Sequence, residues 1–152
     1  MQNSEVEQLT NKLQGLINNL SPQSRRQLIR QIGNKLVQSQ RQRIARQQNP
    51  DGSFYARRKQ QKRTKTGRIK QLAMFKKLRT SRFLKTRIND KGVEIGFNSG
   101  AAKIASIHQY GKTGVVNSKI GLKVKYTQRE LLGFSKTDKE MIEDLIIKQL
   151  SL

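Results

Sequence analysis

The chain has no cysteine, no tryptophan, only two prolines and only ten acidic residues among its 152. Without cysteine there can be no disulfide, no thiolate metal ligand and no cysteine nucleophile. A single histidine, His108, leaves no second imidazole for a metal site. Aromatic residues make up 5% and hydrophobic residues 34%, below the globular norm, so the core is thin for the length of chain. Such a chain is expected to finish its burial in an oligomer interface. No apolar run approaches the roughly 20 residues that span a bilayer. The opening Met1-Gln2-Asn3-Ser4-Glu5 lacks the basic and apolar regions of a secretory signal. A soluble protein made in the cytoplasm, with no membrane partner, is expected.

Positive charge is what the chain has in excess. Between Arg41 and Lys91 stand eighteen Lys or Arg residues and two acids, Asp51 and Asp90, within a formal net charge of +22. The densest stretch carries Arg57, Arg58, Lys59, Lys62, Arg63, Lys65, Arg68 and Lys70 with no acid among them. A block of this kind repels itself and needs salt, a polyanion or an acidic protein surface. Six to eight phosphate contacts, on the order of what it could make, would give steeply salt-dependent nucleic-acid binding. Only Phe54 and Tyr55 stand near it for stacking, and no zinc-finger, helix-turn-helix or ribonucleoprotein signature accompanies it. From the residues alone, contact with nucleic acid and contact with an acidic protein are about equally supported.

The periodicity predicts an α+β domain over residues 1–152. Val6 to Leu20 repeats apolar residues at helical spacing, and Ser21-Pro22 starts a second amphipathic helix running through Ile44. Asn49-Pro50-Asp51-Gly52 ends it in a turn. Residues 53–67 read as an exposed basic arm or loop. Residues 68–79, with Ile69, Leu72, Phe75 and Leu78, are expected to form a third helix. Phe83–Ile88 and Val93–Phe97 predict a hairpin, Ala101–Tyr110 a short helix closed by Gly111, and Ile120–Tyr126 a third strand of a small antiparallel sheet. Ser135 with Asp138 three residues on predicts the cap of a C-terminal helix, which carries four of the ten acids.

These elements assemble no catalytic constellation. There is no Walker-type loop, no spaced acid pair and no second histidine, so no cofactor, no metal and no enzymatic activity are expected. His108 reads as a helix-end residue that hydrogen-bonds terminal carbonyls or a loop.

Four patches in order carry a resemblance. Gln48-Asn49-Pro50-Asp51-Gly52 follows a long amphipathic helix, and Ile107-His108-Gln109-Tyr110-Gly111 closes a short one. Arg129-Glu130-Leu131-Leu132-Gly133-Phe134-Ser135 leads to Asp138, and a terminal helix with Ile142 and Leu150 ends the chain. The order resembles the phage virion morphogenesis family, the tail completion proteins of contractile-tailed phages and prophages. Phe54-Tyr55 stands where that family often has Trp, and Tyr126-Thr127-Gln128 where it commonly has a proline. The resemblance implies a structural protein of the virion tail or neck that completes the tail or joins it to the head. It implies tail or neck proteins as partners and a homo-oligomeric ring, with a hexamer the natural size. The positions it singles out are Asn49, Pro50, Asp51, Gly52, Ile107, His108, Gly111, Arg129, Leu132 and Gly133. DNA contact through the basic segment is then secondary. Each patch reads first as a turn that fixes element order: Asn49 to Gly52 redirects the chain into the arm, and Gly133 supplies unusual backbone angles.

Overall fold

A computed structural model describes residues 17–58, 73–89 and 91–151, together with residues 7, 8, 11, 14 and 15. Those five, with Ile17 and Asn18, fall in helical or near-helical backbone ahead of the first long helix, as the periodicity predicts. Helix α1 spans Pro22–Ala45; the Ser21 hydroxyl accepts from the Ser24 N–H at 3.2 Å, and Pro22 sits in the first turn, where its missing N–H costs nothing. Gln47, with a φ of 58°, ends the helix by entering the left-handed region.

The antiparallel hairpin of β1 (Leu84–Asn89) and β2 (Gly92–Phe97) pairs Leu84 with Phe97 and Asn89 with Gly92. Its turn is fixed by the Asn89 carboxamide oxygen, which accepts from the N–H groups of Lys91 and Gly92 at 2.8 and 3.0 Å. It crosses α1 at Gly33, where Val93 and Thr86 fill the space a side chain would need. Helix α2 (Ser99–Tyr110) follows, capped by Asn98 and ended by Gly111 in the left-handed conformation. Helix α3 (Lys136–Leu150) starts with a capping box in which the Ser135 hydroxyl accepts from Asp138 N–H and the Asp138 carboxylate accepts from Ser135 N–H, each at 3.0 Å. The α+β class, the N-terminal helices and the C-terminal helix are as expected.

Two expectations are corrected. The segment expected to continue as a helix to residue 79 runs, over the described residues 73–83, as a series of turns. Phe75 adopts a φ of 68°, which no right-handed helix accommodates, and its ring turns inward to become buried. The expected third strand, seen as β4 (Leu122–Lys125), does not join the first hairpin. It pairs with β3 (Thr113–Asn117), a segment that reads as loop in the sequence, to make a second two-stranded sheet with a register shift between Val115 and Asn117.

Two clusters of buried apolar residues lie along α1. Leu28 packs with Leu145 and Ile146 of α3, supported by Ile32, Met141 and Ile142. Ile44, at the far end of α1, packs with Tyr55, Met74, Phe75, Ala105 and Leu131. Residues distant in sequence meet around this second cluster.

Candidate functional site

The segment Arg129 to Ser135 has no regular structure of its own, yet Leu131 is fully buried. A buried irregular backbone must find hydrogen-bond partners elsewhere. It finds them in side chains from three other parts of the chain. Arg43, near the end of α1 and only 3% exposed, donates through Nη1 to the carbonyls of Gln48 (3.1 Å) and Glu130 (3.0 Å). Its Nη2 donates to the carbonyl of Leu131 (2.9 Å) and to the carboxamide oxygen of Gln40. Gln40, one turn earlier and equally buried, brackets Gly133: its Nε2 donates to the Gly133 carbonyl at 2.9 Å and its Oε1 accepts from the Gly133 N–H at 3.2 Å.

Gln109, at the end of α2, does the same from the other side. Its Oε1 accepts from the N–H groups of Leu131 (2.8 Å) and Leu132 (2.9 Å), while its Nε2 donates to the Leu132 carbonyl at 2.9 Å. Asn49 contributes a carboxamide oxygen to the Glu130 N–H at 2.9 Å, and the Tyr55 hydroxyl donates to the Glu130 carbonyl at 2.8 Å. Below Gln40, the Asp138 carboxylate accepts from Ser39 and Gln40 as well as from Ser135, so the α3 cap is tied to α1. The side chains bond main-chain atoms of another segment, the arrangement of a structural clamp.

The three short motifs singled out in the sequence therefore converge. Asn49 and Pro50 face the 129–135 segment, while Asp51 and Gly52 form the exposed tip of the turn, closed by Gly52 N–H on the Asn49 carbonyl at 2.9 Å. Hydrogen bonds from Ser53 hold the Asp51 carboxyl below its ordinary range. The Ile107 carbonyl accepts from Lys112 N–H at 2.8 Å and also takes the Gly111 cap, and the His108 carbonyl accepts from Arg129 N–H at 2.8 Å. Gly133 is placed by contact: a Cβ there would lie 2.5 Å from Cγ of buried Pro50. Its φ is not positive, so close approach rather than the expected backbone freedom requires glycine at this position.

His108 departs from its expected role. Its Nδ1 has no hydrogen-bond partner among the described residues. The ring packs edge-on between Phe75, at 4.9 Å between centroids, and Tyr126, at 5.0 Å. Burial, then the positive charges of Arg129 and Arg58, hold its pKa below the usual histidine value. Burial raises the Tyr55 hydroxyl to about 12. Burial likewise lowers the pKa values of the Arg43 and Arg129 guanidiniums from the ordinary arginine value.

The same site holds the start of the basic segment, where Tyr55, expected within an exposed arm or loop of residues 53–67, is instead buried in the core. Arg129, 6% exposed, donates through Nε to the Ala56 carbonyl at 2.7 Å and through Nη2 to the Arg57 carbonyl at 3.2 Å. The side chains of Arg57 and Arg58 are exposed beyond this anchor. Lys59, Lys62, Arg63, Lys65, Arg68 and Lys70 lie outside the described residues. Among the described residues no three His, Asp or Glu side chains gather as a metal-binding group, and no helix is long and apolar enough to cross a membrane.

Sequence reasoning missed Gln40, Arg43 and Tyr55 as members of this site. Gln40 and Arg43 stand three apart on a helix whose polar face is rich in Gln and Arg, and nothing in that pattern separates a buried pair from a solvated one. Gln109 was visible within its motif but not its double use.

The relationships of the chain match this geometry in extent. A tail completion protein S of Escherichia phage P2 is 44% identical over 149 residues, which covers 97% of this chain and 98% of the relative. No solved structure matches the chain. The profile of the phage virion morphogenesis family matches residues 4–151, taking in every segment that meets at the clamp, and the chain belongs to that family.

Proposed function

We propose that the chain is a structural tail completion protein that finishes the phage tail, or joins it to the head at the neck, through protein–protein contacts. The observation that carries this reading is the 44% identity to a tail completion protein across nearly the whole of both chains. Geometry supports it: the motif side chains are engaged on main-chain atoms of neighbouring segments, as suits a part that must hold its shape. The chain would act as a homo-oligomeric ring in the virion, a hexamer by family resemblance, with other tail or neck proteins as partners. The basic arm, anchored at Arg129, would reach an acidic surface on such a partner, with charge steering and registering the docking. No catalytic activity and no cofactor belong to this reading.

A phage with this gene interrupted tests it. Lysates viewed by electron microscopy are expected to hold filled heads and separate or unfinished tails, and supply of the intact chain is expected to restore joined particles. Normal virions without the chain would overturn the proposal.

Direct contact with DNA is a second reading, favoured by the eighteen basic residues between Arg41 and Lys91. Replacing the eight basic side chains of residues 57–70 with glutamine separates the two. Failed joining with weak DNA binding before and after supports protein docking. Tight, steeply salt-dependent DNA binding that the variant loses, with particles still joined, supports the rival.

A further inference from the structure

The second hairpin stands out because it is both basic and apolar. Residues 112–125 contain four lysines and no acid. Its root packs on the end of α2, where Gly114 meets Ile107 and the Tyr126 ring. Beyond the root, Ile120 is 73% exposed, and Val115, Val116 and Leu122 are exposed as well. Val115 pairs with Lys123 and Thr113 with Lys125, so lysines and apolar side chains alternate along the ribbon. Two-stranded ribbons are marginal in water on their own. Exposed aliphatic side chains at a tip do not suit a phosphate backbone; they suit a protein surface with its own apolar residue.

The complementary surface is on α3. The face of this helix turned away from α1 carries Glu140, Glu143 and Asp144, three of the ten acids of the chain. At helical spacing of three and four residues, Ile147 stands beside Glu143 and Asp144, and it is 54% exposed. The acids one turn from Ile147 match the lysines near Ile120 in charge, and the two isoleucines match in character, with Lys136 and Lys148 also exposed on α3.

We propose that the β3–β4 hairpin of one copy docks on the outward face of α3 of a second copy, with Ile120 against Ile147 and Lys119 and Lys123 against the acids. The proposal rests on the self-assembly reading above and gives it a contact. Because the two surfaces differ, the contact is head-to-tail, and repeating it either closes a ring or runs on as a filament. Opposite charges fix register and exclude hairpin-to-hairpin pairing.

The absence of cysteine makes this contact readable by cross-linking. Ile120→Cys and Ile147→Cys are made as separate full-length proteins, both at exposed positions, and mixed with a short bismaleimide. A mixed dimer at twice the 17.5 kDa of one chain is expected, with far less from either protein alone. The band should be lost when Glu143→Lys is added to the Ile147→Cys protein. Light scattering on the unaltered chain runs in parallel. An oligomer without a mixed cross-link would leave self-assembly standing and overturn this contact. A single chain at every concentration, again without a cross-link, would overturn both. No cross-link, with Lys123→Glu weakening binding to duplex DNA, would assign the hairpin to nucleic acid instead.

Discussion

Gly133 and Pro50 exclude one another's side-chain space: a Cβ on Gly133 would approach the proline ring to 2.5 Å at Cγ and 3.2 Å at Cβ. The ring is buried and rigid, so it cannot swing aside as a flexible side chain would. Gly133→Ala is therefore expected to cost about 1–3 kcal/mol of stability, the usual range for overpacking. Urea denaturation measures this. Pro50→Ala in the same chain should recover part of the loss, since the two positions share one contact. Additive losses would show that the strain lies elsewhere.

Arg43 holds three main-chain carbonyls from two segments. A lysine keeps the charge but cannot reproduce the planar fork. Without the guanidinium the Gln48 and Leu131 carbonyls lose this donor, at about 1–3 kcal/mol each, while the Glu130 carbonyl keeps the Tyr55 hydroxyl. Arg43→Lys is expected to destabilise nearly as much as Arg43→Met, and both by more than about 2 kcal/mol. Thermal melting of the two variants side by side checks this; a lysine variant as stable as the parent would contradict the geometric account.

The one histidine makes a pH test simple. Burial first, and then Arg129 and Arg58, depress the folded-state pKa of His108 below 6.5. The unfolded chain takes up its proton near 6.5, while the folded chain resists until lower pH. Stability from this group is thus whole above 6.5 and declines as pH falls toward the depressed value. The urea midpoint should drop between about pH 7.5 and about pH 5.5, and His108→Phe should flatten that slope.

Tyr55 gives the opposite dependence. Its pKa is raised from 10.0 to about 12, so its contribution is complete below 10.0 and is lost as pH rises toward 12. Tyr55→Phe removes the bond to the Glu130 carbonyl and is expected to cost about 1 kcal/mol near neutrality. The variant should also lose less stability than the parent under alkaline conditions, as followed by circular dichroism.

The parts of this fold written in local chemistry were legible. Ser21-Pro22 and the Ser135–Asp138 cap each mark a helix start, and Asn49-Pro50-Asp51-Gly52 forms the expected turn, although the helix itself ends earlier, at Ala45. The apolar spacing of α1 and α3 also survives, because one face of each helix really is buried. Periodicity failed at Phe75. Leu72, Phe75 and Leu78 have helical spacing, but the pull of Tyr55 and His108 on the Phe75 ring outweighs the cost of a left-handed backbone. It failed again at Thr113–Asn117, where Gly114 and a bulge interrupt the alternation that identifies a strand. The clamp itself was illegible for a deeper reason. Hydropathy scores Gln40 and Arg43 as solvent-facing, whereas both are buried and bond carbonyls and an amide of a segment about ninety residues later. Such partnerships leave no trace in a single sequence.

Arg43, Gln40, Gln109, Asn49 and Tyr55 all grip main-chain atoms of residues 130–133, never their side chains. Every residue but proline offers the same amide and carbonyl, so the lettering of positions such as Glu130 and Leu132 is open to drift. Their number is not. One residue inserted or deleted there would slide each grip onto the wrong atom at once. At Glu130 and Leu132 the chain should forgive misspelling, at Leu131 and Gly133 it should not, and throughout it should punish miscounting.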